Sequence, residues 1–236
     1  MTPLAESALL EVWDRVGSAP LPLKPAVLLD ALRAGMGEAG DPADSLPVGR
    51  RDQALIGLRR RLFGSRMRCT ANCPRCAARV ELDLDLDRMQ SDGPPAELAM
   101  VRMKGGTWRL RSPTTRDIAR VLAGPASGRV EALVRRCALD PLPDPLPPAL
   151  VEAASVALHE ADPDAEIVLT LACPDCGTAW DAPFDIAACL WGDILLAARR
   201  LLREVHHLAT AYGWSEAEIL AVPPRRRREY LLIGGL

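Results

Sequence analysis

Aromatic residues make up only 4% of this 236-residue chain, and tryptophan accounts for five of them. No apolar run approaches the roughly 18 residues a membrane span requires, so the pattern predicts no crossing. Histidine occurs three times, twice as the neighbours His206-His207, which leaves little material for a catalytic triad. The chain has no G-x-x-x-x-G-K-[ST], no G-x-G-x-x-G after a strand and no G-x-S-x-G, the usual carriers of phosphate binding and nucleophilic chemistry. A charge excess is missing too: 29 Lys and Arg against 31 Asp and Glu leave a net −2, no overall pull toward nucleic acid or anionic lipid. The stretch Met1 to Leu10 lacks a basic segment followed by a continuous apolar one, so no signal peptide is expected. These absences lower the prior for an enzyme and favour a protein that binds and holds.

What is present is ordinary in bulk, with 49% hydrophobic and 25% charged residues, the composition of a globular protein. The length suits one composite domain or two coupled lobes. Seven cysteines, an odd number with four in C-x-x-C pairs, suit a reducing cytoplasm better than a disulfide scaffold.

Those pairs are the centre of the reading. Cys73-Pro74-Arg75-Cys76 and Cys173-Pro174-Asp175-Cys176 lie a hundred residues apart and share a Cys-Pro-x-Cys pattern. A tetrahedral zinc takes four soft or borderline ligands, and each such turn supplies two. Two metal-free thiol pairs, or one metal per knuckle completed by another chain, are the alternatives. A thioredoxin-type role needs a C-x-x-C at a helix start, whereas strand-like residues follow both knuckles here. Four thiolates would close the coordination shell, so the expected zinc is structural.

An internal repeat surrounds the knuckles. A shift of one hundred places Cys73 on Cys173, Cys76 on Cys176, Val80 on Trp180, Leu84 on Phe184 and Leu86 on Ile186. Each copy reads strand, knuckle, strand, which predicts a pseudo-two-fold zinc ribbon. Cys69 aligns with Leu169, so it is read as an apolar strand residue; Cys137 and Cys189 sit in helical patterns as core or half-buried thiols.

The expected fold is α+β, mostly helical, with a small zinc-ribbon-like module built from the two strand-CPxC-strand units. Residues 1–64 form an N-terminal helical region, with helices over about 4–16, 26–34 and 49–63. Residues 65–111 hold the first knuckle, an alternating strand over 79–87 with an acidic face (Glu81, Asp83, Asp85, Asp87), and a hairpin turning at Gly105-Gly106. Residues 112–165 are helical over about 115–123, 127–139 and 149–160, interrupted by a Pro-rich linker at 141–148. Residues 166–185 carry the second knuckle after a strand over 166–172. Residues 186–236 begin with a helix of about seven turns, 186–212, with Arg199, Arg200, Arg203, Glu204 and His207 mostly opposite its apolar stripe. A capping box at Ser215 and Glu218 opens a short helix, and Pro223-Pro224 opens a last one. The Glu204-x-x-His207 spacing has no second copy to build a di-iron site and reads as a solvated face.

Several stretches together carry a family resemblance. They are Leu46-Pro47-Val48-Gly49-Arg50-Arg51-Asp52 leading to Leu62-Phe63-Gly64, the two CPxC knuckles, Arg135-Arg136-Cys137, and Glu204-Val205-His206-His207-Leu208-Ala209 running into Tyr212-Gly213-Trp214-Ser215-Glu216, Ile219-Leu220 and Arg226-Arg227-Arg228-Glu229-Tyr230-Leu231. The combination resembles the baseplate hub assembly chaperone family of T-even-like phages, in the zinc-knuckle form found with phage-tail-like contractile injection systems. The resemblance implies a non-enzymatic assembly factor whose partners are baseplate or hub proteins. Trp214, Ile219, Leu220, Arg226, Arg227, Tyr230 and Leu231 are the candidate partner contacts, as apolar anchors ringed by arginines; the alternative, favoured for most of them, is that they close the protein's own core. A permanent baseplate component and a zinc-ribbon nucleic-acid-binding regulator using Arg225 to Arg228 are the rival readings.

Overall fold

The computed structural model describes residues 4–89, 96 and 98–235. Its first three helices are α1 (Glu6–Gly17), α2 (Lys24–Gly35) and α3 (Val48–Phe63). Each places leucine, isoleucine or valine at three- and four-residue spacing, so one face buries: Val12 and Val16 from α1, Leu28, Leu29 and Leu32 from α2, Leu55 and Ile56 from α3. The long α7 (Ile186–Tyr212, 27 residues) completes this core with Leu190 and Ile194. Side chains buried this fully each contribute about 1.5–3 kcal/mol relative to exposure.

Among the described residues three two-stranded antiparallel hairpins stand outside that helical layer. The first joins β1 (Arg66–Asn72) to β2 (Arg79–Asp85), and the third joins β5 (Val168–Ala172) to β6 (Ala179–Pro183). The expected strand over 79–87 stops at Asp85 because the chain turns through a 3-10 segment, Leu86–Met89, that drives Leu86 into the main core. Asp87, expected on the acidic face, instead pairs with Arg60.

Between them lies a second core. Hairpin β3 (Ala99–Met103) and β4 (Gly106–Leu110) turns at Lys104-Gly105 rather than Gly105-Gly106, with Gly105 at φ +118°. Val101 and Leu110 pack on α5 (Arg129–Cys137) and α6 (Pro148–Ala161). The Pro-rich 141–148 segment is part of this packing, since Leu146 is buried among the same residues. Alternating Leu with Pro makes it a strap laid on the core.

Polar contacts lock the second core to the first. Asp162, 1% exposed, caps α3 from 113 residues away by accepting the Gly49 N–H at 3.1 Å. A Cβ at residue 49 would stand 1.9 Å from the Asp162 Oδ1, so only glycine admits this carboxylate. Burial pushes the Asp162 carboxyl upward, against the opposing Gly49 N–H. Arg51 adds a second link, donating to the Thr115 hydroxyl at 2.8 Å; on the second core's own side Asp117, at the start of α4 (Thr115–Leu122), takes Arg111 at 2.6 Å and Arg136 at 3.1 Å, and forms a capping box with Thr114. Burial alone would raise its carboxyl, but the Arg111 and Thr114 hydrogen bonds bring it well below the carboxylate range.

Past α7 the chain folds back. Gly213, at φ +69°, ends the helix and a Ser215–Glu218 capping box starts α8 (Glu216–Ala221). Helix α9 (Pro224–Ile233) then returns against α7. Among the described residues no helix is long and apolar enough to cross a membrane.

Candidate metal centre

The two knuckle hairpins have the same register a hundred residues apart. Ala71 pairs with Val80 as Leu171 pairs with Trp180, and Thr70 with Glu81 as Thr170 with Asp181. The loops repeat the same hydrogen bonds. The Cys73 N–H reaches the Ala78 carbonyl and the Ala77 N–H the Cys73 carbonyl, each at 2.9 Å; Cys173, Thr178 and Gly177 repeat both bonds at 2.9 Å. Such a turn requires a left-handed residue after the second cysteine, and Ala77 (φ +58°) and Gly177 (φ +70°) fill it. Each hairpin also returns to the main core through an equivalent apolar anchor, Leu86 in one and Ile186 in the other.

This pairing brings Cys73, Cys76, Cys173 and Cys176 together with their sulfur atoms all within 4.8 Å of one another. Across the knuckles, Cys73 Sγ lies 3.7 Å from Cys176 Sγ and Cys76 Sγ 3.6 Å from Cys173 Sγ. A tetrahedron with zinc–sulfur bonds of about 2.3 Å has edges of about 3.8 Å, which these two cross-knuckle edges match. Cys73 and Cys173 are 2% exposed, packed among Val80, Leu82 and Trp180, while Cys76 is exposed. The four cysteines form a structural-zinc site, with the ligand set the sequence predicted.

The second cysteines of the two knuckles sit in unlike surroundings. Cys176 is brought down to about 6, first by the Thr178 hydroxyl, 3.3 Å away, then by the Thr178 backbone N–H and by thiols from Cys76 and Cys73. At Cys76 the Ala78 N–H acts the same way, but its thiol is shared among Cys176, Cys173 and Cys73, and the net effect is upward, to about 12. The Thr178 contacts thus favour the thiolate at Cys176, the form that metal requires. Thr178 went unnoticed in the sequence; its signal is the hydroxyl two residues after a ligand, where the first copy has Ala78.

The remaining cysteines lie outside the tetrad. Cys69 and Cys189 pack half-buried against the main core, and Cys137 is fully buried in the second core. The acidic row is partly neutralised across the hairpin, with Asp83 facing Arg68 at 3.6 Å.

The candidate partner contacts divide. Arg227 is corrected outright: it is 0% exposed, held by Glu6 at 2.6 Å, Glu204 at 3.5 Å and the Val222 carbonyl at 2.9 Å. It pins α9 to α1 and α7 and is not available to a partner. Ile219, also 0% exposed, closes the protein's own core with Val205 and Leu208. Trp214, Leu220, Tyr230 and Leu231 are half-buried around that cluster, Trp214 stacking on Tyr212 at 4.9 Å and meeting Tyr230 edge-on at 5.0 Å. Arg226 is exposed, as are Leu232 and Ile233 beyond it.

Compared with family models, curated proteins and solved structures, the chain finds no match.

Proposed function

We propose that this chain is a non-enzymatic assembly factor, a chaperone for the baseplate or hub of a contractile phage tail-like particle. In this reading zinc holds the scaffold and the C-terminal helices meet the client. The observation that carries it is the closed tetrad. Four thiolates gathered within 4.8 Å of one another would fill the shell of a single tetrahedral ion and leave no corner for water or substrate, so the metal's contribution is mechanical.

The stretches behind the family resemblance have physical roles compatible with it. Leu46 to Asp52 begins α3, where Gly49 receives Asp162. Tyr212 to Glu216 forms the turn and capping box that swing α8 and α9 back along α7. That turn leaves Trp214, Leu220, Tyr230 and Leu231 half-exposed beside the bare Leu232 and Ile233, an apolar surface with exposed Arg225, Arg226 and Arg228 on the same helix. Anchors of this composition suit a helical docking face.

Deleting the gene from a contractile-particle cluster tests the reading. Sheathed particles should be absent and restored by a plasmid copy; a normal particle yield overturns it. Recovery of the chain in finished particles at a fixed stoichiometry would favour the permanent-component alternative.

A further inference from the structure

The C-terminal half of α7 presents one exposed stripe. Leu196, Arg199, Arg200, Arg203, His206 and His207 are exposed at spacings of three and four, opposite the buried Ala198, Leu201, Val205 and Leu208. Between Asp193 and Glu216 the chain has a single carboxylate, Glu204. The sequence pattern places it among the arginines, where it would neutralise them. The fold takes it away: Glu204 lies toward the buried Arg227, 3.5 Å from its guanidinium. Among the described residues none of Arg199, Arg200 and Arg203 has an ion pair; the same holds for exposed Arg15, Arg50 and Arg120 elsewhere, but here three such arginines fall within five residues of one helix. Arginines at i and i+4, such as Arg199 and Arg203, repel one another. A stripe serving only the helix would interleave glutamate.

We propose that this stripe docks an acidic α-helical segment of a protein partner. Carboxylates at i and i+4 on such a helix repeat at the pitch of Arg199 and Arg203, and arginine forks take carboxylates bidentately. Leu196, 67% exposed at the end of the stripe, supplies the apolar contact. A lipid surface is a poorer match because one leucine gives an interfacial helix little to insert. Single-stranded nucleic acid is poorer because no aromatic side chain lies between the arginines to stack on a base. The inference deepens the assembly-factor reading by stating the client's chemistry, and rests on it only for the client's identity.

The test uses full-length, zinc-loaded protein and a fluorescent Ala-rich helical peptide of about 20 residues, with Glu at every fourth position and one Leu. Fluorescence anisotropy should show binding at about 0.05 M salt that weakens at about 0.3 M. Arg199→Glu with Arg203→Glu should weaken it at least about tenfold, while Arg120→Glu on α4 leaves it unchanged. Zinc content and circular dichroism confirm that each variant is folded. Tighter binding of duplex DNA or phosphatidylserine vesicles than of the peptide overturns the proposal. So does peptide binding indifferent to the charge reversal, or none at about 1 mM, a concentration at which even weak docking registers. If the gene deletion still gave particles but the peptide bound as expected, the client would be misassigned and the surface would stand.

Discussion

In the first hairpin the residue after the second ligand is Ala77, at φ +58°; in the second it is Gly177, at φ +70°. The loop hydrogen bonds around them agree at 2.9 Å, and the strands keep one register. Side chains differ almost everywhere else: Arg75 against Asp175, Ala78 against Thr178, Val80 against Trp180. The backbone is therefore dictated by the need to aim two sulfurs at one point, and local preference yields to it. An alanine held left-handed costs about 1–2 kcal/mol, a strain that persists only where surrounding structure over-determines it. Metal coordination, worth far more than this in zinc-dependent folds, does so here.

The comparison can be broken at its strongest point. Cys73→Ser and Cys173→Ser should each abolish bound zinc, about one per chain in the native protein, and each should lower unfolding free energy by more than about 4 kcal/mol. Elemental analysis and urea titration read both effects. Loss from only one variant would mean that the knuckles do not share a site.

Smaller changes sharpen it. Gly177→Ala should cost about 1–2 kcal/mol, bringing the second knuckle to the strain the first already bears, and Ala77→Gly should stabilise by up to about 1 kcal/mol. Equal effects of the same sign in urea unfolding would contradict the conformations described. Thr178→Val should raise the Cys176 thiol from its value near 6. Because that value is depressed, thiolate-dependent stability is complete above the ordinary thiol value and is lost as pH falls from there through the depressed one. The pH of half-maximal zinc release should accordingly rise by roughly half a unit or more in the variant, followed with a chromogenic chelator. Arg75→Ala and Asp175→Ala, at exposed tips, should change stability by less than about 0.5 kcal/mol.

The metal centre was readable because its signal is one-dimensional. A hundred-residue offset aligns Cys with Cys and apolar with apolar, and strand register follows from that alignment. Helices with strong periodicity were equally readable, including α7. What the pattern hid are contacts made only once elements are placed in space. Gly49 looked like a helix-start glycine until Asp162 arrived from the end of α6. Arg227 looked like one of four arginines open to a partner, yet it alone faces inward, to Glu6 at the other end of the chain. Leu86 looked like the last inward residue of a strand, while the turn after Asp85 makes it a core anchor.

The separation of the two knuckles has a consequence in time. Ribosomes add about 5–20 residues per second, so the first cysteine pair waits on the order of 5–20 s for its counterpart. During that interval it can offer a metal only half a site. The chain that fills the wait includes both strands of the second-core hairpin, β3 and β4, and all of α4, α5 and α6. Completion of the tetrad thus reports that the middle of the protein has already been made, and metal capture becomes a late checkpoint of synthesis.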